Sequence, residues 1–139
     1  MARKSYTEAA AAFDWRDVRA ALGWGDAARV SLGEAIVDRH ADSNRTALIW
    51  IGSDGREQRL GYRDLSEASN RFAAALRRLG VRPGDRVAGL MPRVPETLAV
   101  IIGALKAGAI YVPMFTGFGP DAIRFRLKHS KARVVVTHE

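Results

Sequence analysis

The sequence predicts an α/β protein, a parallel sheet with helices on its faces and an antiparallel hairpin near the start. Three observations lead there. From Arg63 onward the apolar spacing runs helix, strand, helix, strand, helix, strand with short connections, an order that right-handed crossovers turn into a parallel sheet. Ahead of it, Thr46-Ala47-Leu48-Ile49-Trp50-Ile51, the turn Gly52-Ser53-Asp54-Gly55 and Glu57-Gln58-Arg59-Leu60 read as strand, hairpin turn and strand. A chain of 139 residues, 47% hydrophobic and 27% charged, has the composition of an ordered soluble protein with a real core.

The elements follow in order. Phe13 to Trp24 reads as a short amphipathic lead-in helix stopped by Gly23 and Gly25, preceded by a weakly apolar alanine-rich stretch around Ala9 to Ala12. Ser31 caps a second helix with Glu34 at the capping-box position, and Ala35, Ile36, Val37 and His40 carry its apolar face to about Ala41. After the hairpin, Leu65, Ala68, Phe72, Ala75, Leu76 and Leu79 recur at three- and four-residue steps, and Gly80 stands where a helix-ending glycine belongs. Pro83-Gly84-Asp85 turns into the strand Arg86 to Met91, stopped by Pro92. Pro95-Glu96 opens an almost wholly apolar, hence buried, helix to Lys106, which Gly108 ends. Ala109 to Val112 is a short strand, Pro120-Asp121 starts a helix to about His129, and Arg133 to Thr137 is a last strand that reads as buried on both faces.

Composition excludes several functions. Twenty-two Lys and Arg against fifteen Asp and Glu give a net charge of +7, but the basic residues are scattered. The densest groups, Arg77 with Arg78 and Arg124, Arg126, Lys128, Lys131 and Arg133, have no interleaved aromatics of the kind that bind single strands, so the charge reads as solvated surface and no nucleic-acid partner is expected. The chain has no cysteine, which removes disulfides, thiolate nucleophiles and sulfur-rich metal sites. The longest apolar run, Leu98 to Leu105, falls far short of the ~20 residues of a membrane span, and the start has no signal-like apolar region; no membrane partner and a cytoplasmic location are expected.

Four stretches carry a resemblance: Gly61-Tyr62-Arg63-Asp64-Leu65; Leu79 to Ala88, with Pro83-Gly84-Asp85 inside it; Pro92-Arg93-Val94-Pro95-Glu96; and Leu105-Lys106-Ala107-Gly108-Ala109-Ile110-Tyr111-Val112-Pro113. In this order and spacing they resemble the amino-terminal part of the AMP-forming acyl-CoA synthetases of the adenylate-forming superfamily. Phe115-Thr116-Gly117-Phe118-Gly119-Pro120-Asp121-Ala122 with Arg126-Leu127, the Phe13 to Trp24 lead-in and Asp38-Arg39-His40-Ala41 are similar to the acetyl- and propionyl-CoA synthetase branch. Peptide-synthetase adenylation domains share the Pro83-Gly84-Asp85 and Gly108-Ala109 features, but the Phe115 to Pro120 segment argues against them.

The resemblance implies a two-step reaction of a small carboxylate with ATP, Mg²⁺ and coenzyme A: an acyl-adenylate and diphosphate form first, then the coenzyme thiol displaces AMP. Two anions must meet in the first step, which calls for a metal ion, a backbone-amide loop and a lysine at the transferring phosphate. The family's phosphate loop, ribose-binding aspartate segment, hinge and catalytic-lysine domain have no counterpart in this sequence, and Lys4, Lys106, Lys128 and Lys131 sit in other contexts. No catalytic residue is therefore assigned, and the chain alone is expected not to adenylate. The alternative is a stand-alone, non-catalytic nucleotide- or partner-binding product, or a decayed remnant of such an enzyme.

Gly117-Phe118-Gly119-Pro120 is the candidate ligand contact, since glycines admit close backbone approach and a helix starting at Pro120 offers free amides to an anion. By position in the family, Phe115, Thr116 and Gly117 match the segment that lies along the coenzyme A nucleotide. A strand-to-helix turn whose glycines serve geometry alone is the competing reading. Arg124 and Arg126 in the following helix stand roughly 200° apart and do not share a face, and both read as surface residues. His40, His129 and His138 lack ligand spacing, so no metal site is expected. Asp14 with Asp17, and Asp38 with Asp42, read as surface charges, and Trp15, Trp24 and Trp50 as packing. The domain expectation is a helical lead-in over residues 1–45 and a partial α/β subdomain over 46–139, truncated at its carboxy end, with self-association through the last strand.

Overall fold

The computed structural model describes residues 5–26 and 30–138, so Lys4 lies outside the described residues. The chain divides into two compact units, Met1–Val30 and Ser31–Glu139.

The first unit holds two short helices. α1 (Tyr6–Ala11) is capped reciprocally by Ser5 and Glu8, and α2 (Trp15–Ala21) by the Asp14 carboxylate, which accepts from the Arg16 amide at 2.8 Å. α1 is absent from the sequence expectation: alanine forms helix well but gives no apolar stripe to read. Trp15 does not pack as expected. It is 69% exposed and meets Phe13 edge-on at 5.1 Å.

The second unit opens with α3 (Leu32–Ile36), where Ser31 Oγ accepts from the Glu34 amide at 3.3 Å. The helix does not run on to Ala41 as expected. Val37 leaves helical geometry at φ −128°, ψ −61°, and a three-residue 3-10 turn, Asp38–His40, follows. The break has a packing reason, because Val37 is inserted between Leu65 and Ile102 and is 2% exposed. β1 (Thr46–Ile51) and β2 (Glu57–Gly61) form the antiparallel hairpin, with Ile51 opposite Glu57.

α4 (Tyr62–Arg78) buries Leu65, Ser66, Ser69, Ala73 and Leu76, one helical stripe, and ends at Gly80, whose φ of 78° suits glycine. Next come β3 (Arg86–Leu90), α5 (Glu96–Lys106), β4 (Ile110–Met114), α6 (Pro120–Ser130) and β5 (Val134–Thr137). The three strands form a parallel sheet in the order β4-β3-β5. Its core joins Val87 and Ala109 to Leu76, Val81 and Ala104, with Val134 and Val136 packed against them. β5 is thus covered on one face only. A two-residue period sends Val135 to the other face, where it is 44% exposed, so the expectation of a fully buried strand is corrected. Arg86 of β3 holds the end of α6, donating from Nε to the Ser130 carbonyl at 2.7 Å and from Nη2 to that of Lys131 at 3.0 Å.

Candidate functional site

Strand order singles out one end of this sheet. β3 connects outward to β4, whereas the connection from β4 returns past β3 to β5, so the order reverses between β3 and β5. In open α/β sheets ligands gather at the carboxyl ends of the strands beside such a reversal. At the carboxyl ends of these strands the chain carries segment 91–95 after β3, beside the reversal, and segment 115–119 after β4.

Segment 115–119 is a tight turn. The Phe118 amide donates to the Phe115 carbonyl at 3.1 Å, and the two rings stand 5.7 Å apart at 85°. Phe115 is 66% exposed, although it is a large apolar ring. A side chain at Gly117 must displace the Phe115 ring, since its Cβ would lie 2.5 Å from that ring. Gly119 is the cap residue of α6, in extended conformation and without a side chain to satisfy the helix's first amides. The structure therefore brings Phe115, Thr116 and Gly117 together with the amino end of a helix of 11 residues.

The two arginines of α6 diverge as their spacing requires. Arg124 pairs with Asp121 at 2.5 Å. Arg126 reaches back along the helix, lies 3.9 Å over the Phe118 ring and donates from Nη1 to the Ala122 carbonyl at 3.1 Å. Reading both as merely solvated is corrected for Arg126: its side chain is built into the turn. The sequence signal was present in the seven-residue step from Gly119, but it does not show which way the side chain leans.

Segment 91–95 is held from the hairpin, where Trp50 Nε1 donates to the Arg93 carbonyl at 2.7 Å, and from α5, where Thr97 Oγ1 donates to the Pro92 carbonyl at 2.8 Å. Beside it, Trp50, Val94, Pro95, Glu96 and His138 line an open hollow of about 430 Å³. In the sheet beneath, the Tyr111 ring occupies the space above Gly89 that any side chain there would need, and burial raises the Tyr111 phenol above the usual tyrosine range.

A second polar group lies away from these segments. The Lys106 side chain is 6% exposed; its Nζ is 2.5 Å from Asp38 Oδ1 and 2.8 Å from Asn70 Oδ1, and Ser66 Oγ donates to Asp38 at 2.6 Å. Asp38 is therefore no plain surface charge, as its sequence context suggested, but the buried lysine's counterion. Asp42 does sit at the surface, 3.5 Å from Arg63. His40 lies against Tyr62 and His129 against Phe125. Among the described residues no three acidic or histidine side chains cluster as a metal site, and no helix is long and apolar enough to cross a membrane.

A family model described as AMP-binding enzyme matches residues 35–139. The chain is 38% identical to an acetyl-coenzyme A synthetase of Bacillus subtilis, over 96% of this chain and 24% of that protein. It is 34% identical to one of Magnetococcus marinus, over 84% of this chain and 18% of that protein. Among solved structures, an acyl-CoA synthetase of Brucella canis superposes with a TM-score of 0.90 at 40% identity, over 97% of this chain and 25% of that one. The amino-terminal subdomain of Klebsiella oxytoca NpsA gives 0.67 at 27% identity, over 77% and 27%. The chain thus spans a quarter or less of the length of these curated relatives.

Proposed function

The chain belongs to the AMP-binding enzyme family, and from that premise we propose that it forms the amino-terminal α/β portion of an acyl-CoA synthetase. Complete, that enzyme converts a short carboxylic acid, ATP and coenzyme A, with Mg²⁺, to acyl-CoA, AMP and diphosphate in the cytoplasm. Similarity to acetyl-coenzyme A synthetases supports the short acid. Within this chain, Phe115, Thr116 and Gly117 meet the coenzyme's nucleotide.

The observation that carries this reading is the turn after β4. It offers an exposed aromatic ring at Phe115, bare backbone at Gly117 and an uncapped helix start at Gly119 within five residues. Those features fit a nucleotide, whose base stacks on an aromatic ring and whose phosphates accept from helix-terminal amides. The coenzyme supplies the thiol that receives the acyl group; this chain's part is to hold the nucleotide end. Adenylation needs groups from elsewhere in the enzyme, because the Lys106 ammonium is held by Asp38 and Asn70, and Lys128 and Lys131 stand at the far end of α6 from the turn.

Calorimetric titration of the folded chain with coenzyme A, and separately with ATP and Mg²⁺, tests the reading. Saturable heat is expected with coenzyme A only, and Gly117→Leu should abolish it by displacing the Phe115 ring. Absence of heat from a sample shown folded by its amide spectrum would leave the turn with a geometric role alone, and binding retained in Gly117→Leu would move the contact elsewhere.

A further inference from the structure

We propose that Arg126 is a positioning residue that sets the Phe115–Phe118 turn in its binding form. The proposal rests on the reading of that turn as a coenzyme contact. Its basis is a series of three contacts that begins in α6 and ends at Gly117.

Arg126 is the seventh residue of α6, two turns beyond its start. Helical side chains lean toward the amino terminus, so a long one at this position reaches back to the residue before the cap. Its guanidinium lies 3.9 Å over the Phe118 ring and is anchored by the bond to the Ala122 carbonyl. Phe118 in turn closes the turn twice, through its amide to the Phe115 carbonyl at 3.1 Å and through its ring to the Phe115 ring. The Phe115 ring then fills the space beside Gly117. Guanidinium, ring, ring and backbone touch one after another, the two rings meeting edge to face.

The turn needs such a clamp. Two of its five residues are glycine, Gly119 provides no capping side chain, and Phe115 is largely exposed. A glycine-rich turn left free must be ordered when ligand binds, which weakens binding; a turn ordered beforehand avoids that cost. Arg124 is a built-in control. It has the same charge on the same helix, but it pairs with Asp121 and touches neither ring.

The test measures amide exchange of Phe118 by NMR on the full chain, without ligand, and coenzyme A affinity at low and high salt. Arg126→Met is expected to speed Phe118 exchange by about two- to five-fold, the size of effect a partly exposed cation–π pair gives. It should weaken coenzyme A by a similar factor at both salt concentrations. Arg124→Met should change neither. Phe118→Leu should match Arg126→Met, and the double variant should be no faster than Phe118→Leu alone. Unchanged exchange in Arg126→Met, or additive effects in the double variant, overturns the clamp. An affinity loss that disappears at high salt also overturns it, since that marks direct phosphate pairing instead. If neither wild type nor variants bind coenzyme A, the coenzyme reading fails, and the ligand-free exchange still decides whether Arg126 sets the turn.

Discussion

Lys106 is the residue whose surroundings most change its meaning. In the sequence it closes an apolar helix, where a lysine suits the negative end of the helix dipole and needs no further partner. In the fold its stem crosses the face of Gly33, so closely that a side chain at Gly33 has no room, and its ammonium lies between Asp38 and Asn70. Asp38 is 68 residues away, and no spacing rule links such a pair. By contrast, the glycines and the helix start at Pro120 were legible, because turn chemistry is local. The exposed pairs Arg16–Asp14, Arg56–Asp54 and Arg59–Glu57 contribute little, since water screens them. Lys106→Met differs: it leaves the Asp38 carboxylate with only Ser66 among these partners. A loss of about 1–3 kcal/mol is expected, at the low end because Asp38 is a third exposed. Urea unfolding measures it, and Asp38→Asn combined with Lys106→Met should cost less than the sum of the two single changes. A strictly additive pair would mean the contact is not formed.

Between elements, the α4–α5 packing depends on one small residue. Gly103 of α5 lies against α4 so closely that an added Cβ would fall 2.7 Å from the Ser69 carbonyl oxygen and 2.9 Å from the Phe72 ring. Gly103→Ala gains up to about 1 kcal/mol in helix propensity. It must also push two helices apart in a packed core, which costs about 1–3 kcal/mol. A net lowering of the thermal midpoint is expected; a rise would show that the helices yield freely. The periodicity of α4 made its buried stripe readable, including Leu65 and Leu76, but neither the partner helix nor the small residue at the crossing shows in a one-dimensional pattern. The same limit hid α1, which has good helix formers and no stripe. Its stability lies in its cap instead. The Glu8 carboxyl is held below its ordinary value by the Ser5 amide and then the Ser5 hydroxyl, and that of Asp14 by the Arg16 side chain and then the Arg16 amide. A depressed carboxyl stabilises above its unfolded pKa, 4.5 for Glu8 and 3.8 for Asp14, and that stability is lost as pH falls through the lower folded value. Helical circular dichroism is therefore expected to fall below pH 4.5, and Glu8→Gln should remove the part that belongs to α1.

For the molecule as a whole, the sheet offers the edges at which a second copy would pair. Among the described residues β4 and β5 each pair with β3 on one side only, so both present an open edge. The two edges are not equivalent. β4 carries Pro113, which has no amide to donate and so blunts that edge, whereas β5 is Val134-Val135-Val136-Thr137 with every amide present. Val135 adds an exposed apolar side chain on the uncovered face of β5. Opposing this is the net charge of +7, which repels a second copy until salt screens it. The composition made the repulsion legible from the start; the inequality of the edges required the strand order. Self-association through β5 is therefore expected to grow with both protein concentration and salt in sedimentation velocity runs. Val135→Lys, which places a charge on that face, should hold the chain monomeric at the salt where wild type associates. Association that weakens as salt rises would point to ionic contacts between copies and exclude the strand edge as their cause.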